Sequence, residues 1–411
     1  MANFGTNMEL QTHYLGFPIS LLLAVAFLLA SFALHRHAKN SRAVRLLGSM
    51  RLARILLAVG AVFLAVEGTW SIPLHRSIFF LAYELVLLLS LSLTLLDGIG
   101  KKGISCHILN HAGFLIIVLA SLFGSPDVTR TKITAPRGQG VNVAYTSDNQ
   151  PVTLPFDITL EEFEVDLYPG TDAPRQFTSK LLVDGEKKAV SVNHPLSYGG
   201  YTLFQDGFDP VDGSYSVLQV VRDPWLPVVF LGMLLLAVGS VMLLFGKWKA
   251  RLVIPATLVL TALFTVLTIS KINFGTLMPA LRSWLFIPHI FIYMVAYSLM
   301  ALALVMLLLP VKNRKELSAN LVRSSSALLV IGMLIGAVWA RRAWGDCWAW
   351  DPKENWAAVT WFVSQIHLHL TDKRGWKAVT ILLLAFLALQ VTWYGVNYLP
   401  SALESLHTYN L

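Results

Sequence analysis

The residues of this 411-residue chain that could do chemistry are its eleven histidines and a cluster of tryptophans. Six of the twelve Trp fall between Trp339 and Trp361. From Trp344 to His369 the chain reads WGDCWAWDPKENWAAVTWFVSQIHLH. Flat aromatic rings at this density suit the face of a large apolar ring system. Neutral imidazoles are metal ligands, and two of them facing one cavity are what a bis-ligated haem iron needs. A zinc centre wants three or four ligands, with carboxylates or thiolates among them at closer spacing, and the sequence offers no such group. With only two cysteines, Cys106 and Cys347, a disulfide framework is excluded.

The elements that must position these residues are apolar. Hydrophobic residues make up 55% of the chain and charged residues 14%, the composition of an all-α polytopic membrane protein. About ten transmembrane helices are expected, near 15–34, 55–73, 77–96, 106–124, 225–245, 252–270, 287–310, 324–340, 352–370 and 377–394. The formal charge of +8 does not point to nucleic acid. The loops after spans 1, 3, 5, 7 and 9 carry 18 Lys and Arg and the short opposite loops few, which is the positive-inside pattern. It predicts both termini on the extracytoplasmic side of the cytoplasmic (inner) membrane. The first span lacks a basic leader region and reads as retained.

This topology sorts the histidines. His111 falls one turn inside the inner end of span 4, and His369 near the inner end of span 9. His289 follows Pro288 in the first turn of span 7 at the outer surface, and His407 is in the outer C-terminal tail. Two pairs result: His111 with His369 inside, and His289 with His407 outside, on the side of the aromatic loop. His107, one turn from His111, is the rival inner ligand, whereas His367 points to another side of its helix. His35 and His37 read as solvated in a basic loop, and His13, His75 and His194 have no assignable partner.

Asp351, Pro352 and Glu354 form a capping-box start for span 9, expected to run to about Leu370. Lys353 and the positive end of that helix are placed to meet an anionic group. Glu67 and Glu84, in or near spans, are either bonded to neighbouring helices or line a cavity. Cys347 reads as an aromatic replacement or as a thiol near the site. From 125 to 224 the signals change to strands: FDITLEEF, FEVDLY, FTSKLLVDG, YTLFQDGF and YSVLQVV, separated by turn residues. One β-rich extracytoplasmic domain is therefore inserted between membrane helices.

WGDCWAWDPKENWAAVTW closely resembles the tryptophan-rich "WWD" signature of the haem-handling proteins of cytochrome c maturation. MPALRSWLFIPHIFIYMVAYS and SALESLHTY resemble that family's two outer-histidine segments, in the order of the CcsA (ResC) subunit of System II over roughly 250–411. LPFDITLEEFEVDLYPGTDAPRQFTSKLLV, VNHPLSYGGYTLFQDGFD and VVRDPW resemble the extracytoplasmic domain of its partner CcsB (ResB), and LNHAGFLIIVLASLFGS the span that carries its membrane histidine. The resemblance implies a fused chain: N-terminal helices over 1–124, the β-rich domain over 125–224, a helix and linker over 225–251, and a CcsA-like membrane domain over 252–411 with its WWD loop at 341–356.

By that resemblance the protein is a holocytochrome c synthase of haem lyase type. Haem b, its substrate and bound ligand, is held at His111 and His369, then ligated by His289 and His407. Trp344, Trp348, Trp350 and Trp356 supply the face on which it lies, Lys353 meets its propionates, and Asp351 caps the helix beneath. Its vinyl groups are joined to the thiols of a CxxCH motif in an apocytochrome c. A thiol-reducing, thioredoxin-like partner and membrane lipid complete the implied partners. Cys347 stands where the signature usually has an aromatic residue. The alternative is a haem exporter or chaperone without attachment activity. A two-haem electron-transfer subunit would repeat its ligands on one helix pair, and a purely structural assembly factor would leave the histidines unexplained.

Overall fold

The computed structural model describes residues 15–102, 105–244, 253–270, 272, 274–309, 314–370 and 376–405. All ten expected spans are helices. They are α1 Ile19–Ala38, α3 Met50–Trp70, α4 Ile78–Lys102, α5 Cys106–Gly124, α6 Leu226–Leu244, α7 Val253–Ile269, α8 Phe286–Leu308, α9 Arg314–Trp344, α10 Pro352–Leu368 and α11 Trp376–Trp393; a short α2, Arg42–Leu47, joins α1 to α3. Among the described residues eight helices are long and apolar enough to cross a membrane, all but α2, α7 and α10. The chain is a multi-pass membrane protein.

Several boundaries differ from those expected, for physical reasons. α1 continues through His35 to Ala38, because the Nε2 of His35 reaches Asp97 on α4 at 3.0 Å. His35 is therefore half-buried and bonded rather than solvated. α9 is much longer than expected at 31 residues. Its polar face, including Ser318, Ser324, Ser325 and Ser326, is buried, and Ser318 and Ser325 donate to carbonyls of α8. It also runs on to Trp344, so the loop begins after that residue and not at 341. α10 stops at Leu368, with His369 as its C-cap. Its 17 residues span about 25 Å at 1.5 Å each.

α10 is an interior helix. Asn355, Thr360, Ser364 and His367 on it are all buried. Thr360 and Ser364 donate to carbonyls of their own helix, Asn355 to the carbonyl of Trp350, and the Nδ1 of His367 bonds to the carbonyl of Ala378 at 3.2 Å. Polar side chains satisfied in this way can be buried without a large penalty. Around α10 pack α3, α9 and α11, and α5 reaches it through Phe114, whose ring meets Trp361 edge-on at 5.3 Å.

Between α5 and α6 lies one eight-stranded sheet. Its strands are β1 Thr129–Pro136, β2 Gly140–Tyr145, β3 Pro151–Leu167, β4 Pro174–Val183, β5 Glu186–Ser191, β6 Leu196–Tyr198, β7 Tyr201–Phe208 and β8 Tyr215–Arg222. Their order is 5-4-3-2-1-8-7-6, and every neighbouring pair is antiparallel. FDITLEEF and FEVDLY are one long strand, β3, with a register shift between Leu160 and Glu162. Alternate residues Leu154, Phe156, Ile158 and Leu160 point inward. The sheet curls over this core: Ser179 on β4 bonds to Gln205 on β7 at 2.6 Å and to Ser216 on β8 at 2.7 Å.

The sheet leaves from the end of α5 and returns to the start of α6, and those two helices lie very close. A Cβ on Gly113 would sit 2.5 Å from the backbone nitrogen of Leu236, and one on Gly232 2.8 Å from Ile117. Only glycine permits this approach, which sets where α5 presents its histidines.

Candidate functional site

At the end of the bundle away from the sheet, three imidazoles gather. His107 and His111 share one face of α5, with ring centroids 4.0 Å apart. His369 caps α10, and its ring lies 6.4 Å from that of His111. The Nδ1 of His111 bonds to the carbonyl of His107 at 2.8 Å, and the Nδ1 of His369 to the carbonyl of Gln365 at 2.8 Å. A ring whose Nδ1–H donates to a carbonyl keeps its Nε2 lone pair for a metal. Among the described residues no group of three or more His, Cys, Asp or Glu is placed to hold a metal ion.

At the other end of α10, the tryptophan loop ends on the expected capping box. Asp351 accepts from the backbone N–H of Lys353 at 2.8 Å, while Glu354 accepts from the N–H groups of Ala349 at 2.8 Å and Asp351 at 3.3 Å. Asp351 is buried and accepts as well from the hydroxyl of Ser405 at 3.2 Å. Ser401 donates to the carbonyl of Gly68 at 2.7 Å. The C-terminal segment is thereby brought to the loop; His407, like His13, lies outside the described residues.

The tryptophans do not form one flat stack. Trp348 and Trp350 meet edge-to-face at 6.4 Å. Trp344, at the end of α9, lies 6.2 Å from Trp339 on the side of α8. Trp356 packs on α3, where a Cβ on Gly68 would come within 3.2 Å of its ring. Trp350 has a φ of +59°, a left-handed conformation that costs roughly 1–2 kcal/mol outside glycine. Asn355 compensates by donating to its carbonyl at 2.9 Å. Two polar atoms under the loop, the Oδ1 of Asn355 and the indole nitrogen of Trp356, are buried with no hydrogen-bond partner among the described residues.

His289 sits in the first turn of α8, half-buried against α9. Its Nδ1 bonds to the carbonyl of Gly332 at 2.9 Å, and its ring is edge-on to Tyr293 and Trp339. Gly336 makes room for it: a Cβ there would lie 2.7 Å from the Cε1 of His289.

The sheet docks on the same end. Arg130 on β1 pairs with Asp346, and Arg341 donates to the carbonyl of Gly345 while lying over the Phe204 ring of β7 at 5.4 Å. Asn193 donates to the carbonyls of Pro279 and Ala280 at 2.9 and 3.1 Å, and Tyr168 to that of Leu277 at 3.0 Å. Cys347 and Cys106 are both free thiols. Burial pushes the Cys347 thiol up to about 12, against the pull of Arg341. It is therefore not a nucleophilic thiolate.

Of two linked residues at this end, the sequence singled out Glu67 but assigned His75 no partner. His75 stacks face-to-face on Trp350, with centroids 4.4 Å apart and planes 9° from parallel. Glu67, buried at the end of α3, bonds to its Nδ1 and accepts from its backbone N–H at 3.1 Å. The available signal was a carboxylate in the last turn of a span, followed eight residues later by a histidine in the short connection after it. Glu84 is half-buried on α4 beside Tyr83, and His194 lies exposed in the turn after β5.

Comparison with known proteins divides the chain in two. Residues 100–214 match the ResB-like family, and residues 225–407 match the cytochrome c assembly protein family. The chain is a ResB-like segment fused to a cytochrome c assembly segment. The two matches stand in the order that the resemblance to a fused CcsB–CcsA chain implies. It is 32% identical over 196 residues to the cytochrome c biogenesis protein CcsA of Chlamydomonas reinhardtii, covering 43% of this chain and 55% of that protein. To the CcsA of Gloeobacter violaceus it is 40% identical over 93 residues, covering 22% and 28%. To that of Synechococcus sp. (strain JA-3-3Ab) it is 45% identical over 91 residues, covering 21% and 26%. The chain thus spans about half or less of the length of these relatives. His107, His111 and most of the sheet fall in the ResB-like segment, and His289, the tryptophan loop and His369 in the assembly segment. Each family contributes one member of the His111–His369 pair. Glu67 and His75 precede both matched stretches.

Proposed function

We propose that this protein is a cytochrome c synthase that carries haem across the membrane and attaches it to the CxxCH motif of an apocytochrome c. The single observation that carries the reading is the pair His111 and His369. With metal–nitrogen bonds of ~2 Å on each side and about 1 Å from each nitrogen to its ring centre, an iron shared by two imidazoles sets the ring centres roughly 6 Å apart. The observed separation is 6.4 Å, and both Nδ1 atoms are already committed to carbonyls. His107, whose ring lies 4.0 Å from that of His111, is the rival, and His111 is taken as the inner ligand in this reading.

The outer station is assigned to His289 and His407 beneath the tryptophan loop. Ser405, two residues before His407, bonds to Asp351 at the loop's edge, which supports that pairing. Trp344, Trp348, Trp350 and Trp356 supply apolar surface for the macrocycle, and the indole nitrogen of Trp356, which has no partner among the described residues, is a donor suited to a polar group such as a propionate. Lys353, in the first turn of α10, adds a positive charge to the helix N-terminus. Asp351 acts as the cap that holds this turn. The thiols of the apocytochrome add across the haem vinyl groups, each S–H proton ending on a vinyl carbon. Such an addition gains chiefly from holding the partners in register, which a rigid shelf provides.

Co-expression with a CxxCH reporter, followed by haem staining after denaturing electrophoresis, tests this reading. Covalent haem in the reporter is expected. A purified protein that holds haem beside a reporter with none would instead describe an exporter without attachment activity.

A further inference from the structure

The stacked pair of His75 and Trp350 joins a residue that neither family match covers to the centre of the tryptophan loop. The imidazole has little freedom there. Glu67 holds its Nδ1 with one carboxylate oxygen and its backbone N–H with the other. Glu67 is itself 5% exposed, on a helix packed against α10. The indole is boxed in turn: His75 covers one face, and the ring of Phe80 on α4 meets it edge-on at 5.5 Å. Its backbone is in the left-handed region, where few side-chain directions are open to it. A loop residue in a rare conformation, clamped by a buried carboxylate through an intervening ring, fits a surface whose orientation matters.

We propose that Glu67 and His75 form a positioning pair that sets the plane of Trp350, and with it the aromatic shelf against which the porphyrin substrate lies. The part concerning porphyrin rests on the haem reading above; the clamp itself does not. Glu67 orients the imidazole, the imidazole orients the indole, and neither Glu67 nor His75 need touch iron.

The test uses the full chain with His75→Ala, His75→Phe and Glu67→Gln, compared at equal amounts of monodisperse protein. Two quantities are read. One is the rate at which maleimide modifies Cys347, three residues from Trp350, located by peptide mass spectrometry. The other is covalent haem in a CxxCH reporter. His75→Ala and Glu67→Gln are expected to speed Cys347 modification at least tenfold and to lower reporter haem at least fivefold. His75→Phe, which restores a flat face, is expected to recover much of the slow modification. Wild-type rates in both His75→Ala and Glu67→Gln, or a His75→Phe protein no better than His75→Ala, would overturn the clamp. A wild-type protein that never labels the reporter would remove the haem reading, while the modification rates would still decide the clamp.

Discussion

Gly336 is the residue on which the pose of His289 depends most directly. A methyl group there would stand 2.7 Å from the imidazole, closer than carbon atoms pack. Gly336→Ala is expected to displace the ring and lower reporter haem several-fold, with the His111–His369 pair untouched; full attachment in this variant would contradict the placement. Cys347 gives a second prediction at this scale. With its thiol pushed up to about 12 by burial, the thiolate fraction at pH 8 is roughly a thousandfold below that of an ordinary cysteine. Burial disfavours the charged form, so stability tied to this thiol is full below about pH 8.5 and falls as pH rises toward 12. Maleimide modification of the native protein at pH 8 should be far slower than of the denatured chain, and equal rates would refute the burial. His111, His289 and His369 were legible in the sequence because imidazoles near span ends are few. His75 was not. Nothing in its neighbours announces a partner 275 residues away, and stacking on Trp350 exists only once α3, α4 and α10 are packed.

At the scale of elements, the capping box of α10 was readable from Asp351, Pro352 and Glu354 alone, because a cap is local chemistry. Asp351→Ala is expected to lower stability by about 1 kcal/mol, somewhat more because Ser405 also loses its acceptor. Asp351→Asn should retain most of it. Thermal unfolding in detergent measures both, and equal losses would show that the charge rather than the cap matters. Gly113 governs the α5–α6 contact. Gly113→Leu cannot fit against the backbone of α6 and should cost more than the roughly 1–3 kcal/mol typical of overpacking, while also shifting His111. The ends of α9 and α10 were less legible. Buried serines facing α8 and a C-cap at His369 decide them, and both depend on neighbours that hydropathy does not see.

For the whole molecule, the elements before residue 245 interlock with the helices after residue 252. α3 packs on α10 and α6 on α9, and the sheet reaches the loops beside α8 and α10. The Arg130–Asp346 pair is half exposed on the arginine side, so it contributes less than about 1 kcal/mol; the buried Asn193 amide, with its carbonyl acceptors, holds the dock more firmly. Residues 1–244 and 253–411 expressed as separate chains are therefore expected to co-purify. Failure to associate would place the interlocking in the covalent link alone. Span order and an inserted β-rich segment were legible from hydropathy and strand alternation. The curl of the sheet and its seat on the tryptophan loop were not, since they rest on side-chain contacts between segments far apart in sequence.

In the proposed inner site one imidazole from each matched segment ligates the same iron. The absorption spectrum of the purified, reduced protein tests it in wild type, His111→Ala, His369→Ala and the double variant. A bis-imidazole, low-spin spectrum should be lost to the same extent in each single variant, with no further loss in the double. A spectrum unchanged in both single variants, at equal haem content, would contradict the account.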